Sequence, residues 1–238
     1  YKALSLQECG QTQQATNILS RLRQTSKLYE SDAIFHLAAI DYYNDRLDSA
    51  HAGFKSIEMD DKYYLDIPYY LASIYIKKGE YLRAEKLAKF YLEYNSALPQ
   101  ALPMQQALGA AYFGQKKYEE AIVPLREYTE KYNYPQRIAY YQLGMSYFQM
   151  GRYQQAIAPL DKATGIPDAI TQNAYLHMGI IQLNFNDITK ARLAFEQASS
   201  MSYDARIREE ALYNYALCIH KTRYSPFAES VTVFERFL

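Results

Sequence analysis

The side chains best suited to metal, thiol or acid–base chemistry are few and scattered along this chain. His36, His51, His177 and His220 lie far apart. None belongs to a set of Cys, Asp or His ligands at metal spacing on one helix face. The only cysteines, Cys9 and Cys218, stand near opposite ends and are expected to be unpaired thiols of structural role. Asp60, Asp61 and Asp66 cluster beside Tyr63 and Tyr64, but without the spacing of a calcium loop. A solvated turn between helices is the expectation there. No Gly-rich phosphate loop and no G-x-S-x-G elbow occurs. The residues thus point away from an enzyme, and no cofactor or metal is expected.

What the chain has in abundance is tyrosine: 26 Tyr and 10 Phe, with no Trp, in 238 residues. A tyrosine ring packs while its hydroxyl reaches water, which suits many half-buried positions on a binding surface. The 26 basic and 26 acidic residues cancel. A balanced surface offers no broad field to draw in nucleic acid or an anionic membrane. No apolar run approaches the roughly 18 residues of a membrane span.

The elements that would position these rings follow from an internal repeat. Leu108-Gly109, Leu143-Gly144 and Met178-Gly179 stand 35 residues apart, as do Ala121, Ala156 and Ala191. A fixed period in this range marks a stacked repeat array. Within 102–133, apolar residues at Leu108, Tyr112 and Phe113, then Tyr118, Ala121, Ile122, Leu125 and Tyr128, follow helical spacing. Between them Gly114 to Lys117 reads as a short polar turn, with Gly114 ending the first helix. Each unit is therefore expected to be a helical hairpin. The pattern predicts helices over 31–44, 46–58, 65–78, 80–94, 102–114, 117–131, 137–150, 152–164, 171–185, 187–200, 206–221 and 227–238. A further half unit at the start carries Gly10, Ala15, Leu19 and Leu22.

Small residues have a physical reason in this frame. Gly109, Gly144 and Gly179, or Ala38, Ala72 and Ala216, are placed where helices cross, and Ala15, Ala50, Ala84, Ala121, Ala156 and Ala191 answer them from the second helices. Larger side chains would push the axes beyond the usual 8–10 Å. Pro124 and Pro159 fall inside second helices and are expected to bend them. The two prolines between Asn95 and Pro103 predict a looser junction, without a domain boundary.

The stretches "QALGAAYFGQKKYEEAIVPLREY" and "YYQLGMSYFQMGRYQQAIAPLDKA" resemble the tetratricopeptide repeat, with its large residue, Leu-Gly, Tyr, Gly turn, Tyr, Ala, Phe or Leu, and Ala. "YLHMGIIQLNFNDITKARLAFEQA", "PYYLASIYIKKGEYLRAEKLAKFY" and "IFHLAAIDYYNDRLDSAHAGFKSI" fit the same frame, the last with Asp41 where Tyr is usual. The resemblance implies an all-α, right-handed α-solenoid of about seven helical hairpins, the first incomplete. Repeats are expected near 1–30, 31–64, 65–101, 102–136, 137–171, 172–208 and 209–238, as one array that is part of a longer chain.

In this family the first helix of each hairpin lines an inner groove. Carried onto this chain, its inner positions give Phe35, Tyr42, Tyr43, Tyr69, Phe113, Tyr141, Phe148 and Tyr213 as an aromatic lining, joined by Ile76, Lys77, Gln106, Met145, Leu176, Ile180, Leu183, Leu217 and His220. The implied function is a non-enzymatic scaffold that binds a protein or peptide with apolar side chains. The alternative for any one ring is packing against the next repeat. The carboxylate clamp of chaperone-tail binders is absent from these positions. One inner position holds Phe35, Tyr69, Gln106, Tyr141, Leu176 and Tyr213, with no Lys, and another holds Ala39, Ser73, Ala110, Met145, Ile180 and Leu217, with no Asn. "EEALYNYALCIHKTRYSPFAESVTVFERFL" is similar to repeats of Gram-negative envelope proteins, which implies a bacterial periplasmic or outer-membrane-peripheral setting. Two rival readings stay open: an RNA-binding helical-repeat protein, since pentatricopeptide arrays share the period, and a passive spacer for a module outside this sequence. The Leu-Gly…Tyr pattern and zero net charge count against the first.

Overall fold

A computed structural model describes residues 9–221 and Glu235. Among the described residues every regular element is helical. They are α1 (Thr12–Thr25), a 3₁₀ turn (Lys27–Tyr29), α2 (Glu30–Tyr43), α3 (Leu47–Ser56), α4 (Ile67–Lys77), α5 (Tyr81–Asn95), α6 (Ala101–Gly114), α7 (Tyr118–Lys131), α8 (Arg137–Gln149), α9 (Tyr153–Ala163), α10 (Ala169–Asn184), α11 (Ile188–Ser200) and α12 (Ala205–Lys221). Each of α2 to α12 begins and ends within two residues of its sequence expectation. The helix expected at 227–238 and the turn before it lie outside the described residues. The architecture is that of a helical-repeat solenoid. It divides into two compact units, one ending at Gln115 and one starting at Lys116.

Among the described residues one backbone device closes the hairpins. A residue in the left-handed region recurs once per repeat: Gly10, Asp45, Gly79, Lys116, Gly151 and Asn186, with φ of 75°, 56°, 75°, 60°, 68° and 58°. The N–H three residues after the helix returns to a carbonyl five residues back, as from Arg46 to Asp41 (2.9 Å), Glu80 to Tyr75 (2.8 Å), Arg152 to Tyr147 (2.9 Å) and Asp187 to Gln182 (2.9 Å). This bond satisfies a helix-end carbonyl that would otherwise be orphaned. Gly114 does not have the role expected of it. It is the last residue of α6, and the left-handed residue of that turn is Lys116. A Cβ on Gly114 would come within 2.3 Å of the Tyr81 ring, so this glycine makes room for a side chain of α5. Asp41, the departure from the family's usual Tyr, accepts from Arg46 Nε (2.7 Å) and Ser49 Oγ (2.6 Å) across its own turn.

The small-residue positions are where helices meet. Ala15, Ala50, Ala84, Ala121, Ala156 and Ala191 all have no exposed surface, and Ala38, Ala72, Gly109, Gly144, Gly179 and Ala216 are buried. A Cβ on Gly144 would sit 2.7 Å from Leu160 Cγ, and one on Gly179 would sit 2.6 Å from the Phe195 ring. Pro124 and Pro159 lie inside α7 and α9 as expected. Both cysteines are free thiols; Cys9 is exposed and Cys218 is buried, and burial pushes the Cys218 thiol up from its ordinary pKa.

Candidate functional site

Three pairs of first helices from adjacent hairpins meet: α4 with α6 in the first unit, and α8 with α10 and α10 with α12 in the second. Among the described residues no pair of second helices packs to a similar degree. The first-helix side is thus the crowded side, where residues from two hairpins can converge on one ligand.

In the second unit α8 and α10 bring together two of the expected rings. Tyr141 donates from its hydroxyl to Asn173 Oδ1 at 2.9 Å. Two turns further along α8, Phe148 packs edge to face with the His177 ring, with centroids 4.7 Å apart and planes at 89°. Seven residues separate Tyr141 from Phe148, and four separate Asn173 from His177, so each pair shares a helix face. His177 Nδ1 lies 2.9 Å from the Asn173 carbonyl. Burial drives the His177 pKa below its ordinary value, against the opposing pull of the Asn173 carbonyl and Glu210. Its ring is therefore neutral near pH 7. Burial likewise raises Tyr141, whose phenol stays a hydrogen-bond donor. Tyr213, on α12, keeps 43% of its surface exposed.

The first unit gathers its rings differently. Tyr42 packs edge-on to Tyr43 (5.3 Å) and Tyr70 (5.7 Å), and Tyr69 packs edge-on to Tyr70 (5.9 Å). Lys77 Nζ sits 4.6 Å above the Tyr42 ring and 2.6 Å from Asp45 Oδ1. Burial raises the pKa of Tyr42 and Tyr70. Tyr43 is 68% exposed and is the most accessible of the expected rings. Phe35 belongs to packing: it stacks on Tyr63 at 4.2 Å and meets Phe54 and Tyr70 edge-on. Tyr69 packs against the cluster of Ala72, Ala88, Tyr91 and Met104, and Phe113 is half-buried near the end of α6. Of the further expected positions, Gln106, Met145 and Leu176 are buried.

Asn173 and His177 were not among the expected inner positions. Their i, i+4 spacing on α10 is readable in the sequence, but their role depends on Tyr141 and Phe148 facing them from another hairpin. The other histidines do not converge. His36 is half-buried against the Phe35 ring, His51 Nε2 lies 3.1 Å from the Tyr75 hydroxyl, and His220 is exposed. Among the described residues no three His, Cys, Asp or Glu side chains come together as ligands. The Asp60–Asp66 segment is a turn between hairpins, where Asp60 Oδ1 accepts the Lys62 N–H and Gln100 Nε2 donates to Asp66 Oδ1. Among the described residues no helix is long and apolar enough to cross a membrane.

These features define a helical-repeat fold. The tetratricopeptide-repeat profile matches residues 138–169, the α8–α9 hairpin. Similar solved structures extend the likeness over most of the chain. A tetratricopeptide repeat protein from Parabacteroides merdae ATCC 43184 is 20% identical over 90% of this chain and 81% of its own, with a TM-score of 0.56. YrrB, described as a TPR protein with an unusual peptide-binding site, is 16% identical over 77% of this chain and 90% of its own, with a TM-score of 0.62. The apo form of the quorum sensor NprR from B. thuringiensis is 13% identical over 98% of this chain and 70% of its own, with a TM-score of 0.65. No curated protein matches the sequence. Residues 138–169 are a tetratricopeptide repeat, and the described residues around them have the fold of tetratricopeptide-repeat proteins.

Proposed function

We propose that the chain is a non-enzymatic scaffold that holds a peptide segment of a partner protein, with apolar side chains, against the first-helix side of its hairpins. The observation that carries this reading is the pairing of Tyr141 and Phe148 on α8 with Asn173 and His177 on α10. Two rings offer apolar contact area, while an amide and a neutral imidazole offer hydrogen bonds to a peptide backbone. The peptide-binding site named for YrrB, on a similar fold, supports the same kind of partner. Tyr43 and Tyr213 extend the lining in their own units. A bacterial envelope setting, suggested by the last repeat, belongs to the same proposal.

The test is a selection from a displayed random peptide library, followed by affinity measurement on the Tyr141→Ala/Phe148→Ala variant. Truncating two central rings is expected to weaken selected peptides at least roughly tenfold, in line with about 2 kcal/mol for such anchors. Circular dichroism melting checks that the variant folds, and Tyr213→Ala serves as the milder change. Peptides that bind parent and variants equally would remove the reading.

A further inference from the structure

A second surface lies on the other side of the first unit, where α3 and α5 flank α4. Lys55 and Glu58 from the α3 end, Leu71 and Tyr75 from α4, and Arg83, Lys86, Leu87 and Phe90 from α5 enclose an open groove of about 410 Å³. Its floor is apolar, and its rim carries three cations against one carboxylate. The cations are not equally engaged. Lys55 pairs with Glu58 at 2.5 Å, and Arg83 pairs with Glu80 at 2.7 Å while lying 6.0 Å from the Tyr75 ring. Lys86 has no ion-pair partner among the described residues. At the groove's end Phe90 is 65% exposed, and its ring packs 5.2 Å from that of Tyr94, itself 69% exposed. Leu82, on the same helix, is 56% exposed.

Two exposed rings held together on a helix surface gain little from each other that burial would not multiply. The helix spacing of Leu82, Lys86 and Phe90, four residues each, sets apolar, cationic and aromatic groups in one row. Here the ion pairs of Lys55 and Arg83 leave Lys86 as the uncompensated charge, a net positive one, beside an apolar floor. We infer that this groove is a separate docking site for an acidic peptide segment, one that inserts an aromatic or leucine side chain beside Phe90 and sets flanking Asp or Glu against Lys86, Arg83 and Lys55. The excess of cations favours such a partner over a second copy of this chain, whose matching surface would bring like charges together.

Selection from a displayed random peptide library on the whole chain, with counter-selection on Lys86→Glu/Phe90→Ser, tests it. Both residues are exposed, so the variant is expected to melt as the parent does, which circular dichroism checks. The expected result is a class of peptides lost on counter-selection and enriched in Asp or Glu around Phe, Tyr or Leu. Their affinity should fall at least tenfold in the variant and weaken as salt rises. The same peptides should bind Tyr141→Ala/Phe148→Ala unchanged, which separates this site from the first-helix site. The inference is overturned if no peptide class is lost, if the lost class carries no acidic enrichment, or if the variant instead abolishes a concentration-dependent dimer of the parent.

Discussion

The unit ending at Gln115 and the unit starting at Lys116 fill one helical frame in two ways. In the first, two of the three first-helix crossing residues are alanines, Ala38 and Ala72, beside Gly109 on α6, and the space around the alanines holds stacked rings: Phe35 on Tyr63 and Phe54 on Tyr70 at 4.6 Å. In the second, Ala216 takes this place on α12, while glycines at 144 and 179 bring the backbone of α8 and α10 against Leu160 and Phe195. Polar bonds then fix the hairpin ends. Arg137 pairs with Asp168 and also donates to the Ala163 carbonyl (2.9 Å) and Thr171 Oγ1 (3.1 Å). Asp168 caps α10 at the Thr171 N–H. The lesson is that the repeat specifies where helices cross, and each hairpin is free in how it fills the crossing. Closer backbones leave no slack for a methyl group, whereas ring clusters can adjust at the cost of aromatic contact.

The largest test of that difference is Gly144→Leu. Its Cβ would lie 2.7 Å from Leu160 Cγ and 3.0 Å from the Leu160 backbone nitrogen, and the rest of the leucine has no space. A clash with backbone cannot be relieved by a rotamer change. The expected cost is about 3 kcal/mol or more, read as a fall in denaturation midpoint. In the first unit Ala72→Gly only removes a buried methyl and adds chain entropy, for about 1–2 kcal/mol. If Gly144→Leu is the milder change, the crossing has been misassigned.

A middle-sized effect is expected from the polar fastening of the second unit. Gln172 has no exposed surface, and its amide donates to the carbonyls of Ala198 (3.2 Å), Met201 (2.9 Å) and Asp204 (3.2 Å), while its oxygen accepts the Asp204 N–H (2.8 Å). It therefore ties the start of α10 to the loop between α11 and α12. Gln172→Leu keeps the volume and strands those backbone groups, for about 2 kcal/mol. Hydrogen exchange should rise around 201–204 and stay unchanged in the first unit. Unaltered protection there would show that water replaces the amide.

Gln172 also marks the limit of what the sequence reveals. The helices, their lengths and the small-residue crossings were legible, because a 35-residue period repeats each local signal several times over. The turn at Lys116 was not, since Gly114 carries the residue type of a helix end while a lysine takes the left-handed conformation. That mistake has a physical source: a glycine can be required by backbone freedom or by space, and only the ring of Tyr81 tells which. The candidate site was legible as a set of rings and not as an arrangement. Phe35 and Phe148 share one repeat logic, yet Phe35 is packed under Tyr63 and Phe148 meets a histidine on the next hairpin. Asn173, His177 and Gln172 act across hairpins, and a pattern read along one helix contains no information on which residue faces it from another.

The smallest expected effect sharpens the comparison through pH. Among the described residues the tyrosines whose pKa is raised are Tyr42, Tyr63, Tyr70 and Tyr91 in the first unit, against Tyr141 in the second. Tyr63 is the best placed for a test. Burial and then its hydrogen bond to Asp32 push the phenol up to about 12. Asp32 in turn is pushed up by burial but held below its ordinary value by Lys62 and Tyr63. A folded pKa above the unfolded one means that the folded state keeps its proton longer. The contribution is whole below pH 10 and is lost as pH rises toward 12. Tyr63→Phe should cost about 1 kcal/mol at neutral pH, the worth of one hydrogen bond. It should also flatten the loss of stability across that alkaline window. The ring stays to stack on Phe35, so the packing change is small and the two effects can be separated. Tyr141→Phe in the second unit should alter the alkaline limb less, because its hydroxyl bonds a neutral amide rather than a carboxylate. Denaturation midpoints for the parent and both variants between neutral pH and the alkaline limit give the comparison directly. An alkaline limb that Tyr63→Phe leaves unchanged would mean that the Tyr63–Asp32 bond does not bind the proton more tightly in the folded chain.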